Sequence, residues 1–317
     1  MNVLILGKPT ELHAAHVHTA LTQAGAQAYY WDTAQFPTQI QLAWCPDQST
    51  GHIRFADDLV MPLQDIHAVY WRQFSGVQVP PLRDPEQAQM AWNDTLGLLR
   101  SLLNLDSIHW VNSWFAYQFH QEKPRQLRVV NQLGIPIPPT LVSNDPIAVR
   151  QFAQSHAKVI FKPVYGGAHT QVVEEHHLEP QRLALSLRLC PVTLQAYVPG
   201  TNIRSYVIGD TVFSAEIRSQ DIDFRQDSQA TILPLPTSEA LQQQCLTIAR
   251  ALGLEWTAID WRRTPEGEDI FLEANPSPMF IYFEQQTGFP ITQHLVQLLL
   301  QAGPTPSERP PAGAVVG

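Results

Sequence analysis

Two carboxylates and an amide near the end of the chain have the types and spacing to bind a hard cation. The runs Trp256–Arg263 and Asp269–Asn275 read as strands flanking the turn Thr264-Pro265-Glu266-Gly267-Glu268. A turn centred on Glu266-Gly267 places Asp260 six residues before it and Glu273 six after it. In an antiparallel hairpin those two face each other, and Asn275, two residues past Glu273, shares their face. Such an all-oxygen set suits Mg2+, which keeps several waters and completes its shell with nucleotide phosphates. The plainer alternative is a solvent-facing hairpin with incidental acids. The apolar flanks Ala258-Ile259 and Ile270-Phe271-Leu272 argue against it.

Phosphates call for cations as well, and lysine is scarce: Lys8, Lys123, Lys158 and Lys162 are the only four. Lys162 closes the apolar run Val159-Ile160-Phe161, ahead of Pro163 and Gly166-Gly167. A lysine leaving a strand beside a glycine loop can hold phosphates while backbone N–H groups close over them. The Gly-Gly pair alone is weak, being neither a Walker nor a dinucleotide signature. Lys8 and Lys158 read as surface charge, and Lys123 opens a helix where a surface role is equally open. Residues 193–198 form an extended segment able to read adenine through backbone groups. Arg204 and Arg225 are candidates for the γ-phosphate and an acyl phosphate, oxygens that suit a guanidinium fork. Taken singly, each is as readily a surface ion pair. Arg72, Arg218 and Arg262 stand equally open between substrate contacts and structural ion pairs.

The elements that must position these groups follow from periodicity. Over the first 118 residues, strand-like runs at 3–7, 28–32, 40–44, 52–56 and 68–73 accompany helical stretches at 11–24 and 86–105, an open α/β lobe. A second unit over 119–194 starts with a helix near 123–133 that stops at Gly134, before Pro136, Pro138 and Pro139. Asp145-Pro146 opens the next helix, followed by strands at 158–163 and 171–174 and a helix at 180–189. The third unit, 195–302, takes its first strand from residues 193–198. A hairpin at 202–208 and 211–217 turns at Gly209-Asp210. An extended piece at 223–228, a helix at 238–252, the acidic hairpin and a closing helix at 291–301 complete it. Residues 303–317, rich in proline and glycine, read as a disordered tail.

Bulk properties narrow the classes. The 317 residues carry a formal net charge of −9, which argues against nonspecific nucleic-acid binding. No stretch approaches the ~18 apolar residues of a membrane span. The first residues lack the basic start and cleavage site of a signal peptide and read as a strand. Cys45, Cys190 and Cys245 are too few and too scattered for a disulfide framework, and suggest reduced thiols in a cytoplasm. The twelve histidines show no zinc spacing. The absence of GxGxxG after the first strand, and of its acidic partner about 20 residues later, argues against a dinucleotide enzyme.

In order, a lysine, then strand-Lys-Pro-x-x-Gly-Gly, Gln-x-Tyr-Val, Ile-Arg-x-x-Val-x-Gly, Asp-Phe-Arg, Ala-Ile-Asp and Leu-Glu-x-Asn-Pro-Ser-Pro resemble the ATP-grasp superfamily. The nearest branches look like the ribosomal-protein glutamate ligases and the microviridin-type (graspetide) peptide macrocyclases. The resemblance covers nearly the whole chain, and Phe271–Gly288 is its most specific part. It implies an N-terminal pre-ATP-grasp lobe, a central lobe and a C-terminal antiparallel-sheet lobe. It implies that Lys123 and Lys162 contact the α- and β-phosphates, with Gly166 and Gly167 closing over them. Gln195, Tyr197 and Val198 would form the adenine hinge and Asn202 would lie near the ribose. Asp260, Glu273 and Asn275 would bind two Mg2+ ions, with Mn2+ as a substitute, and Arg204 and Arg225 would stabilise the transferring phosphoryl group. Two departures are Ala196, where the hinge commonly has an acid, and Asn202, where aspartate is frequent.

The implied activity is ATP-dependent joining of a carboxylate to an amine through an acyl phosphate, releasing ADP and phosphate. The acid belongs to an amino acid, a peptide or a protein, and relatives are often dimers or tetramers. Asn-Pro-Ser-Pro with Glu284 and Thr287-Gly288 resembles the glutamate-ligase branch. Asp32-Thr33-x-x-Phe-Pro and Tyr70-Trp71-Arg72 resemble the macrocyclase branch, which forms ester or amide crosslinks. A rival of another class is a nucleotide-binding module without ligase activity, which loss of Asp260, Glu273 or Asn275 would have favoured.

Overall fold

A computed structural model describes residues 1–165, 169–219 and 229–301. Gly166, Gly167 and Arg225, the extended piece at 223–228 and the tail lie outside the described residues. The chain forms two compact units.

The first unit comprises Met1–Phe115, Met279–Glu284 and the chain from Pro290. Its elements begin with β1 (Asn2–Leu6), α1 (Leu12–Gln23) and β2 (Gln27–Trp31). β3 (Gln41–Cys45), β4 (Thr50–Arg54) and β5 (Val60–Pro62) pair as a small antiparallel sheet. β6 (Ile66–Trp71), α2 (Pro85–Leu102) and β7 (His109–Val111) follow. The main sheet is parallel in the order β2-β1-β6-β7. Val3, Leu4, Ile5 and Leu6 are all fully buried, the continuous apolar run of a parallel strand covered on both faces. Glu11 caps α1 by accepting from the Ala14 N–H at 2.7 Å, and Arg72 grips the same carboxylate through Nε and Nη2, both at 2.9 Å. Arg72 thus has a structural ion pair.

The second unit is built on two sheets. α3 (Trp114–Gln121) and α4 (Lys123–Gln132) precede β8 (Thr140–Ser143), α5 (Pro146–Gln154), β9 (Val159–Pro163), β10 (Gln171–Val172), α6 (Pro180–Leu189) and β11 (Val192–Ala196). The four strands form an antiparallel sheet ordered β10-β9-β11-β8. Val149 of α5 and Leu183 and Leu187 of α6 pack with Val159 and Leu194 of the sheet. β11, expected to open a third unit, is hydrogen-bonded between β9 and β8, with Leu194 opposite both Phe161 and Leu141. The apolar side chain of Leu194 finds its cover in that sheet.

β12 (Thr201–Ile208), β13 (Thr211–Arg218), β14 (Thr231–Leu235), α7 (Glu239–Ala251), β15 (Trp256–Arg263) and β16 (Asp269–Asn275) follow. Their antiparallel sheet has the order β14-β13-β12-β15-β16. One face is apolar: Ile203, Val207, Ile259, Trp261, Phe271 and Ala274 share a core with Leu127 and Val130 of α4 and Leu241, Cys245 and Ile248 of α7. The opposite face carries the polar side chains described below. α8 (Ile281–Thr287) and α9 (Ile291–Leu300) end the described chain. α9 was read as completing the third unit but packs on α1 and β6 of the first. Its five buried apolar residues need cover on more than one side.

Gly200, in the link from β11 to β12, has φ +132°, and a Cβ there would lie 1.9 Å from the Arg263 carbonyl oxygen. Gly200→Ala is expected to cost about 2–3 kcal/mol, read as a lowered urea midpoint at unchanged slope. An unchanged midpoint would refute this close approach.

Candidate functional site

The acidic hairpin brings its predicted members together. β12, β15 and β16 lie side by side, and Arg204, Asp260 and Glu273 occupy successive cross-strand positions. The pairing depends on a bulge. Arg263 pairs with Asp269 and Trp261 with Phe271, a register centred on Glu266 that would have matched Asp260 with Leu272. The register shifts after Trp261, so Asp260 pairs with Glu273 instead. The extra residue also lets Phe271 and Ala274 both enter the core while Glu273 and Asn275 take the polar face. The Asn275 Oδ1 accepts from the Ser277 N–H at 3.0 Å.

Cations surround the two carboxylates. Arg204 donates to both oxygens of Asp260, Nε at 2.7 Å and Nη2 at 2.8 Å. Lys123 Nζ reaches Glu273 Oε2 at 2.6 Å. Burial alone would raise the Glu273 carboxyl, but the Lys123 and Lys162 charges outweigh it and pull its pKa down to about 2. Burial likewise disfavours the Arg204 cation, and Asp260 more than compensates. Burial and then the Lys123 charge hold the His120 imidazole below its ordinary range. So Lys123, Lys162, Arg204 and a largely neutral His120 face one acidic pair.

The depressed Glu273 value has a consequence for stability. A carboxylate bound more tightly in its ionised form contributes stability above its unfolded value of 4.5, and loses it as pH falls toward 2. Glu273→Gln is therefore expected to destabilise the metal-free protein at pH 7. The gap to the parent should close between pH 4.5 and pH 2, followed by urea unfolding across pH. A pH-independent gap would contradict the ion-pair account.

The hinge residues are tied down by neighbours. Gln195 is buried and its Nε2 donates to Thr140 Oγ1 at 3.0 Å. The Ala196 and Tyr197 N–H groups donate to the Pro139 and Lys158 carbonyls, each at 2.9 Å. Arg262 joins the rest, donating to the Val198 carbonyl (3.1 Å), Asn202 Oδ1 (2.9 Å) and the Tyr197 hydroxyl (3.2 Å). Lys158 is exposed, as expected, and its ammonium lies 4.2 Å from the centre of the Tyr197 ring, a cation–π contact. Arg262 is thus the organiser of this segment. Arg218 pairs with Glu216 at the surface. Thr193 pairs with Lys162 across the sheet, placing that lysine on the strand next to the hinge strand.

Two members of this region escaped sequence reasoning, and a third was named without a settled role. His120 sits among Lys123, Glu273 and the Ala274 backbone. Gln126 makes two hydrogen bonds to the Ala274 backbone. Arg262 was left open. A period of three linking His120, Lys123 and Gln126 was the only available signal, and nothing in sequence says which strand such a stripe meets.

Among known families, the RimK-like ATP-grasp domain matches residues 120–299, and the MvdD pre-ATP grasp domain matches residues 2–118. The chain belongs to the RimK-like ATP-grasp family. A probable alpha-L-glutamate ligase 1 of Shewanella baltica is 24% identical over 196 residues, covering 56% of this chain. The chain spans 63% of that relative's length. The macrocyclase MdnC of Microcystis aeruginosa, solved with its precursor peptide MdnA, is 28% identical, with a TM-score of 0.82 over 95% of this chain and 100% of its own. The ATP-grasp ligase PsnB, solved with a minimal precursor, Mg and ADP, is 28% identical, with a TM-score of 0.76 over 94% of this chain and 97% of its own.

Proposed function

We propose that this protein is an ATP-dependent carboxylate ligase that acts on a peptide. The observation carrying the proposal is the convergence of Lys123, Lys162 and Arg204 on the Asp260–Glu273 pair. That arrangement couples an anion-binding set to a cation-binding set on one sheet face. We take residues 1–118 as the pre-ATP-grasp lobe, 119–194 as the central lobe and 195–302 as the C-terminal lobe.

The donor set fits a magnesium ion. Asp260, Glu273 and Asn275 offer hard oxygens from one face, and Mg2+ normally takes one or two carboxylates with phosphates supplying the rest. Among the described residues no group of three or more His, Cys, Asp or Glu could hold a metal ion by itself. When bound, one or two such ions would neutralise phosphate charge and align the β- and γ-phosphates.

The chain's own residues do the remainder. Lys123 and Lys162 hold the α- and β-phosphates, and Gly166 and Gly167 close over them. The segment at Gln195, Tyr197 and Val198, braced by Arg262, seats the adenine, with Asn202 toward the ribose. Arg204 and Arg225 take the charge of the γ-phosphoryl group as a substrate carboxylate oxygen attacks phosphorus and ADP leaves. An amine, or a hydroxyl in ester formation, then attacks the acyl carbon, loses a proton and expels phosphate. No protein nucleophile is needed.

A peptide substrate is favoured because the similarity to MdnC and PsnB runs through the N-terminal lobe, whereas the glutamate-ligase match covers 56% of the chain. The similarity to the macrocyclase MdnC also favours ring closure within the peptide as a second reading. Among the described residues no helix is long and apolar enough to cross a membrane. A reducing cytoplasm suits the free cysteines, and a dimer or tetramer is open to light scattering.

The test is ADP release with ATP and Mg2+, screened over amino acids, small carboxylates and acidic peptides. Peptide-stimulated release with loss of one water per crosslink supports ring closure, and gain of an amino acid supports intermolecular ligation. Nucleotide binding without turnover on any substrate would favour a binding module.

A further inference from the structure

The edge strand β16 carries Glu273 and Asn275 on either side of Ala274, and its backbone at Ala274 is held by a side chain. Gln126, 2% exposed on α4, donates from Nε2 to the Ala274 carbonyl at 2.9 Å and accepts from the Ala274 N–H at Oε1, also at 2.9 Å. The primary amide therefore stands where a neighbouring strand's peptide group would stand. A buried amide is costly unless it is hydrogen-bonded. Here one of its N–H donors and its oxygen are both used on a single residue. Further along the same edge the Phe271 N–H is taken by the Pro136 carbonyl at 2.9 Å, so β16 is docked at two points.

Gln126 is also one helical turn from Lys123, whose ammonium reaches Glu273. The first turn of α4 thereby grips three consecutive features of the hairpin: the Glu273 carboxylate, the Ala274 carbonyl and the Ala274 N–H. The bulge before Glu273 makes such a grip consequential. A bulged edge strand can relax toward the regular register, and a one-residue slip would turn Glu273 away from Asp260.

We infer that Gln126 is a positioning residue that fixes β16 in its bulged register, and so sets Glu273 and Asn275 for the divalent cation. The inference rests on the ligase reading above, in which those residues hold the metal.

The experiment measures Mn2+ affinity by electron paramagnetic resonance in the presence of ADP, ADP affinity without metal, and amide exchange at Ala274, for the parent protein and Gln126→Leu. Gln126→Met, unbranched and closer in shape, carries the test if the leucine variant does not fold. The expected result is Mn2+ binding weakened about 10- to 100-fold, as is usual when a group supporting a metal ligand is removed. ADP binding without metal should change by less than about twofold, with faster exchange at Ala274. Mn2+ affinity within about twofold of the parent would overturn the inference alone, and so would parallel loss of Mn2+ and ADP binding, the mark of a purely structural role. A parent protein that binds no Mn2+ with ADP would remove the ligase reading and this inference with it.

Discussion

Glu273→Gln is expected to lower substrate-dependent ADP release by a factor on the order of 10^3 or more, comparable to or beyond the loss of a well-placed transition-state partner. The substitution preserves size and one oxygen, so the loss reports charge. Glu273 is the counter-charge for Lys123, at 2.6 Å, and feels Lys162 as well. Without it two ammonium groups lose their common anion, and the cation proposed for Asp260, Glu273 and Asn275 would lose one of two carboxylates. ATP binding should persist, because Lys123 and Lys162 remain to hold phosphate. Single-turnover ADP release beside nucleotide binding by calorimetry separates the two effects. Turnover within tenfold of the parent would contradict the assignment of Glu273 to the reacting centre.

Arg204→Leu is expected to do damage of two kinds. Asp260 would keep a partly buried carboxylate whose bidentate partner is gone, and breaking such a pair from one side costs up to about 3–5 kcal/mol, the range for a fully buried one. Turnover should also fall by about 10^2–10^3, the usual effect of removing a charge partner aimed at a transferring group. Arg204→Lys restores charge without the planar fork, so it should recover part of the stability and little of the rate. Urea unfolding of the metal-free proteins gives the first quantity and ADP release the second. A leucine variant as stable as the parent to within about 1 kcal/mol would show that Asp260 does not depend on Arg204.

Much of this site was legible because its parts are local and periodic. The facing of Asp260 and Glu273 follows from counting outward from one turn. The count held for a reason the sequence did not disclose. The inner register centres on Glu266, and the bulge, not the turn, carries Glu273 opposite Asp260. A bulge has no composition of its own, so no pattern announces it. The same holds for β14 and β7, whose short runs gain strand character from their neighbours. Gln126 and Ala274 lie 148 positions apart, and a glutamine at an internal helical position looks like any solvent-facing amide until its partner is known. α9 was read with the hairpin it follows. Its several buried sides took it instead to α1 and β6. The glycine pair at 166–167 and Arg225 keep their assignments as proposals.

The central claim is that a substrate carboxylate attacks the γ-phosphorus. The most direct measurement uses acidic peptides whose carboxyl groups carry 18O, incubated with the protein, ATP and Mg2+, with the released phosphate examined by mass spectrometry. The account predicts one 18O atom from the carboxylate in each phosphate, transferred when the acyl phosphate collapses. Phosphate released in step with product but free of label would contradict it.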